Sequence, residues 1–388
     1  MKKIKLLIVL LLLITSAAFS ADFGLLFDRE FSGENELFLY NPSLTPWFSW
    51  NGSNGASVYF SGNFSFEHNI YSGEMSANNG WKFIPELSRF AFSYQNIKGI
   101  SFEAGRIYYS DLLGLTACGL LDGLRFSAVT SACRISIGAY YSGLQYKETA
   151  KIVMTDGDIA NYILPWDFNN FNDYFASRRF LASFRLDVPA GKASAFSFEA
   201  LVQFDLNEYD HYLNSQYGAV KFDIFPSNMV MISAGAVFEA MQTEQKEFNA
   251  AFGALAQLKA NLPTAVNDQL GLSIKCTSSV IDDIFTDYIP INSVPQGMIF
   301  TSTIAGLTVI GIDYNVRIVK PLYAEFAFNY FMRTINTVSN DNMYGGELWA
   351  SLVWQPLEDI RITFGGGAFF PKESDVMWKI IGGLTLSF

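Results

Sequence analysis

The chain has 388 residues, of which 50% are hydrophobic, 16% aromatic and 16% charged, with a formal net charge of −11. That acidity excludes nucleic acid as a natural partner, because phosphate contacts need clustered Lys and Arg. Two histidines (His68, His211) and three cysteines (Cys118, Cys133, Cys276) are too few and too scattered for a metal centre, a cofactor site or a disulfide framework. A Cys118–Cys133 bridge stays open, since both could lie near strand ends.

Residues 1–20 have the pattern of a signal peptide. Met1-Lys-Lys-Ile-Lys5 is basic, Leu6 to Ile14 is apolar, and Ala18-Phe-Ser20 has the small-x-small pattern of a cleavage site. The apolar run is far short of the roughly 20 residues that a spanning helix needs. Cleavage before Ala21 is expected, with no lipid anchor, since no Cys lies nearby. The mature net charge then falls from −11 to −14 with loss of Lys2, Lys3 and Lys5.

Residues 21–55 are ambiguous. Phe23 to Phe31 and Glu36 to Trp50 could supply two extra strands, or could lie in a pore or periplasm as a plug. Asn41-Pro-Ser43 resembles the Asn-Pro-Ala element in the plug of long-chain fatty-acid transporters, and a plain turn is the favoured reading.

From residue 56 to 388 the chain divides into amphipathic strands, the first at about 56–70 and the last at 378–388. Connections such as 96–99, 130–133, 188–193 and 225–228 are short and carry Pro, Gly or Asn. They alternate with longer ones, notably 111–119, 147–176 and 282–302. Strict alternation predicts an all-β fold, a transmembrane up-and-down antiparallel barrel of about 16 strands, with 18 or 14 as alternatives. Asp156-Gly-Asp158, in the longest loop, is read as a solvated turn in preference to a Ca²⁺ site. Gly365-Gly-Gly367 lacks the Lys and helix of a phosphate loop and is read as room for strand curvature.

Period-two patterning separates the faces. In 194–206, Phe196, Phe198, Val202 and Phe204 oppose Glu199, Gln203 and Asp205. In 177–189, Phe180, Phe184 and Leu186 oppose Arg179, Arg185 and Asp187. The same alternation puts Asp313, Arg317, Glu325, Arg333, Glu347 and Arg361 on the face away from Phe and Ile. An Arg or Lys at the bilayer midplane costs about 2–4 kcal/mol, so these charges are expected to line a water-filled lumen.

Phe102-Glu-Ala-Gly-Arg-Ile-Tyr-Tyr-Ser-Asp111, followed by Gly119-Leu-Leu-Asp-Gly-Leu-Arg-Phe126, resembles a pattern of substrate-selective and general porins. The resemblance implies that Arg106 and Asp122 stand near a constriction; ordinary turn chemistry at Asp122-Gly123 is the equal alternative. Arg106 shares strand parity with Phe102, so a bulge near Gly105 is needed to turn it inward. The chain is also similar to spirochaete outer-membrane proteins of this size.

The last strand, Trp378-Lys-Ile-Ile-Gly-Gly-Leu-Thr-Leu-Ser-Phe388, is apolar on one face to its end. It resembles the terminal strand of bacterial outer-membrane barrels, whose final Phe helps the assembly machinery recognise the chain. The expected partners are outer-membrane lipid and lipopolysaccharide-like glycolipid, that machinery, and small hydrophilic solutes; an oligomer is open. The expected activity is passive diffusion, not catalysis, in the cell outer membrane. The alternatives are a plugged transporter of hydrophobic ligands and a structural or adhesive surface barrel.

Overall fold

A computed structural model describes residues 20–34, 37–71, 80–96, 98–167, 169–207, 212–243, 248–280, 285–334 and 342–388. The expected signal peptide and His211 lie outside the described residues, apart from Ser20. The strands are β1 (Ser20–Glu34), β2 (Leu37–Asn51), β3 (Ala56–Tyr71), β4 (Gly80–Gln95), β5 (Ile100–Ser110) and β6 (Cys118–Val129). They continue as β7 (Arg134–Tyr141), β8 (Arg179–Pro189), β9 (Ser194–Asp205), β10 (Leu213–Ser227), β11 (Val230–Thr243) and β12 (Asn249–Asn261). The last six are β13 (Asp268–Thr277), β14 (Leu307–Val319), β15 (Leu322–Arg333), β16 (Met343–Leu357), β17 (Ile360–Pro371) and β18 (Met377–Ser387).

Each strand pairs antiparallel with its sequence neighbours, and β18 pairs with β1, so the sheet closes into a barrel without an edge. The barrel has 18 strands, which corrects the main expectation of about 16. The two further strands come from residues 20–51, which are wall and not plug. β1 and β2 pair from Ser20↔Asn51 to Glu34↔Leu37. Asn41-Pro42-Ser43 therefore lies in mid-strand, not in a turn. Proline has no N–H to give a ladder, and the β2–β3 register skips around Pro42 and Pro46.

Ser20, Phe388 and the short connections from β2–β3 onward lie at one end of the barrel; the long connections, and the short link from Glu34 to Leu37, lie at the other. Phe388 N donates to Leu25 O at 3.0 Å and Leu25 N to Phe388 O at 3.1 Å, completing the ring at its last residue. Cys118 and Cys133 are free: Cys118 opens β6, and Cys133 lies past the far end of that strand, in the turn to β7.

Exposed aromatic and aliphatic side chains such as Phe60, Phe184, Phe196, Phe326 and Ile380 cover the outer face. The buried apolar cluster lies inside the barrel. Leu112, Leu115, Tyr288, Ile291 and Ile299, all from connections, pack on Leu201, Tyr217, Val237, Leu255 and Phe331 of the wall. Gly365 and Gly367 make room for the inward Trp349 ring.

Candidate functional site in the lumen

The β5–β6 hairpin leaves the wall half-way up. β4 pairs with β5 only from Gln95↔Ser101 to Ala91↔Gly105, although β4 runs on to Gly80. Gly105 has φ +110°, and a Cβ there would collide with the Phe90 carbonyl. Gly123 stands directly opposite, and a Cβ there would collide with the Ala139 carbonyl. Only glycine tolerates such an approach, so this pair is where the hairpin bends across the lumen. Its tip docks on the far wall: Leu112 N and Tyr109 Oη donate to Glu199 of β9 at 2.5 and 3.1 Å, and Leu113 packs on Gly235 of β11. Asp111 organises the tip by accepting the N–H groups of Leu113, Leu115, Thr116 and Ala117 at 2.9–3.2 Å. Burial pushes its carboxyl pKa up, against the downward pull of these donors.

Arg106 and Asp122 form a bidentate pair at 2.9 Å through both nitrogens. They do not stand at a lumenal constriction. Arg106 keeps the outward parity of Phe102 and Tyr108; Gly105 bends the hairpin instead of turning the arginine. The pair is covered by a strap, residues 142–178, which fills the space the hairpin vacates. The strap carries α1 (Lys147–Ala150), α2 (Asp156–Ile163) and a 3-10 turn at Phe171–Asp173. Arg106 donates to Leu144 O of the strap at 3.0 Å and to Leu87 O of β4. Tyr174 Oη donates to Pro85 O at 2.7 Å, and Lys82 of β4 meets Glu148 at 3.1 Å. Asp156-Gly-Asp158 is not a solvated turn. It opens α2 in a capping box with Thr155, and Asp158 is fully buried against Arg179.

The connection at 285–306 also folds inward. Glu239 of β11 accepts Ile289 N at 2.9 Å. Glu347 of β16 accepts Met298, Ile299 and Phe300 N at 2.8–2.9 Å. Tyr288 Oη meets Thr116 Oγ1 at 2.6 Å, which ties the two inward loops together, and burial pushes this phenol well above its usual range.

Several expected pore-lining charges are thus loop anchors. Arg179, Glu199 and Glu347 are 0%, 3% and 0% exposed, and Asp205 pairs with Arg179. The others keep access to the lumen. Arg185 reaches Asp187 at 3.3 Å, and Asp187 accepts Ser197 Oγ at 2.7 Å. Asp313 accepts Asn315 at 3.1 Å, and Ser351 meets Glu325 at 3.4 Å. Arg317 and Arg333 stack on Tyr323 and Tyr344 at 5.5 and 5.1 Å, and Arg361 is exposed near the short turns. Sequence reasoning missed Asp111, Glu239, and the Arg125–Glu103 pair at 2.7 Å. The alternation in β5 and β6 could have found that pair, because Glu103 and Arg125 oppose Phe102 and Phe126.

Loop contacts fall on β9–β17, leaving the arc from β18 to β3 with half-buried inward groups: Asp28, Asn41, Ser43, Asn63 and Glu67. A cavity of about 630 Å³ opens at the long-loop end beside Phe300, Arg333 and Tyr344. One of about 660 Å³ opens at the short-turn end beside Asn315, Arg317 and Glu325. Between them, under the hairpin, Arg125, Arg134, Arg185, Asp187 and Tyr109 line about 200 Å³. Among the described residues, no cluster of three His, Cys, Asp or Glu side chains is placed to hold a metal.

No family model and no curated protein matches the chain. Solved structures share its fold. OccK5 (OpdH) of Pseudomonas aeruginosa has a TM-score of 0.60 at 7% identity over 95% of this chain and 98% of that one. OpdK of the same organism, solved with vanillate, has 0.60 at 8% over 95% and 98%. OccAB1 of Acinetobacter baumannii has 0.58 at 12% over 95% and 97%. The chain thus has the closed antiparallel barrel fold of these outer-membrane porins.

Proposed function

We propose that the protein is an outer-membrane channel for passive diffusion of small hydrophilic solutes through a charged, water-filled lumen, reached after signal-dependent export. One observation carries this reading: an apolar outer face encloses an inner face bearing both signs of charge, narrowed by loops anchored on Glu199, Glu239 and Glu347. A lumen with free Arg134, Arg317 and Arg361 cannot be a dry core without a large desolvation penalty. The narrowing leaves selectivity to the loops and to lumenal charge. Under the hairpin Arg125 pairs with Glu103 and Arg185 with Asp187, which leaves Arg134 to meet a solute carboxylate, and the similar OpdK was solved with a carboxylate, vanillate. A transporter plugged by residues 21–50 has lost its plug, since β1 and β2 are wall. Planar-bilayer recording tests the reading. Folded protein should give stepwise conductance that scales with salt; folded protein without steps refutes it.

A further inference from the structure

Among the Arg and Lys side chains of the described strands, two occupy outward positions, Arg29 and Arg106. Arg106 is paired beneath the strap. Arg29 is not: it stands level with Leu384 of β18 and Pro42 of β2, so it leaves the barrel among Phe27, Phe31 and Leu384. It is exposed, and its Cζ lies 5.0 Å from the Phe27 ring centroid, turned toward the Phe388 end. Four residues separate Arg29 from Leu25, which is level with Phe388. At about 3.3 Å per residue and a strand tilt near 40°, that is about 10 Å from the level of Phe388 toward the membrane interior. Turning back toward Phe27 brings the charge about 5 Å nearer the interface.

A second feature lies two strands round the barrel, where Ile362 of β17 is level with Arg29, and four residues further along that strand, about 16 Å from Arg29. An apolar trough of about 500 Å³ runs along the outer face, floored by Ala350, Gly366 and Ala368 and walled by Phe326, Phe328 and Phe370.

We propose that Arg29 holds the phosphate of an anionic phospholipid of the leaflet facing the short turns, with one acyl chain in this trough. A guanidinium and a phosphate are a bidentate match, and the trough has the shape and polarity of a chain site. A second copy of the barrel supplies no counter-charge. Among the described outward strand positions the carboxylates are Asp122, paired to Arg106, and Asp268, bonded to Thr264 and to Tyr314 at 2.8 Å. The inference rests on the membrane reading above, not on conductance.

Full-length protein, Arg29→Gln, Arg29→Lys and Gly366→Leu are purified in detergent with dioleoylphosphatidylglycerol, and retained lipid is counted by native mass spectrometry. Gly366→Leu fills the trough without touching the arginine. Arg29→Gln should retain about tenfold less lipid, the value of one lost charge-assisted contact. Arg29→Lys should retain an intermediate amount, Gly366→Leu less than wild type, and inorganic phosphate should not compete. Equal retention in wild type and Arg29→Gln overturns the proposal, as does competition by phosphate. A wild-type dimer that Arg29→Gln dissociates overturns it in favour of a second copy. If Arg29→Gln fails to fold by heat-modifiable migration, equal retention in wild type, Arg29→Lys and Gly366→Leu is the overturning result. Conductance of Arg29→Gln should match wild type, so failure of the channel reading registers separately.

Discussion

Glu347→Ala should free the 285–306 loop from the lumen wall. One carboxylate accepts three consecutive loop N–H groups at 2.8–2.9 Å, and both the carboxylate and Ile299 are buried. A hydrogen bond to a charged group contributes about 1.5–3 kcal/mol, but bonds sharing one acceptor are not additive. The loop can also undock and rehydrate, which limits the loss to about 3–5 kcal/mol, or about two to nearly four orders of magnitude in the docking equilibrium. Packing of Phe300 on Phe331 and Phe369, both at 4.8 Å, still favours the docked loop. The expected result is larger, noisier single-channel conductance with faster chymotryptic cleavage at Tyr288 and Phe300. Unchanged conductance and unchanged cleavage in a folded variant would refute the idea that Glu347 anchors a constricting loop.

Asp111→Asn should loosen the hairpin tip by about 2–4 kcal/mol, because an amide NH₂ replaces an oxygen that accepts two N–H groups, leaving donors face to face; hydrogen exchange at 112–117 measures it. Asp122→Asn leaves Arg106 buried with half its pair and should speed proteolysis of the strap by at least about tenfold, and an unchanged rate counts against the strap's dependence on that pair. Changing Arg317, Arg333 and Arg361 to Gln together should shift the reversal potential toward cation selectivity, because the remaining lumenal carboxylates then dominate. Deleting Phe388 removes both hydrogen bonds to Leu25 and should lower the folded fraction in the membrane, read by heat-modifiable migration.

The barrel was legible because lipid imposes a strict rule: each strand must show apolar groups at alternate positions, and that alternation is local. Strands β3 to β18 followed from it, as did the outward sets of β8, β9 and β14 to β16. β1 and β2 are ambiguous in sequence, where Asn41-Pro42-Ser43 reads as a turn, whereas Pro42 interrupts only the β2–β3 ladder while the β1 ladder holds. Parity told which charges point inward but not which remain wet. That depends on where loops 111–117 and 285–306 settle, and their docking joins residues far apart in sequence, such as Leu112 with Glu199 and Ile299 with Glu347. No local pattern records such contacts.

The Arg106–Asp122 constellation shows what parity alone could not convey. When the β5–β6 hairpin bends inward, β4 is left above Phe90 with an edge no strand covers, and an unpaired edge in hydrocarbon costs several kcal/mol per polar group. Side chains replace the missing ladder. Pro85 O accepts Tyr174 Oη, Leu87 O accepts Arg106, and on the other side of the gap Leu120 O accepts the Gln145 amide. The inward hairpin and the strap are therefore one device, since the lumen can be narrowed by a wall hairpin only if something else closes the wall. Arg106 performs that closure because its guanidinium joins three segments at once: the backbone of β4 at Leu87, the backbone of the strap at Leu144, and β6 through the Asp122 carboxylate. Its charge is committed to sealing the barrel, so in the channel proposed above selectivity falls to charges that remain wet, among them Arg134, Arg185, Asp313, Arg317, Glu325 and Arg361.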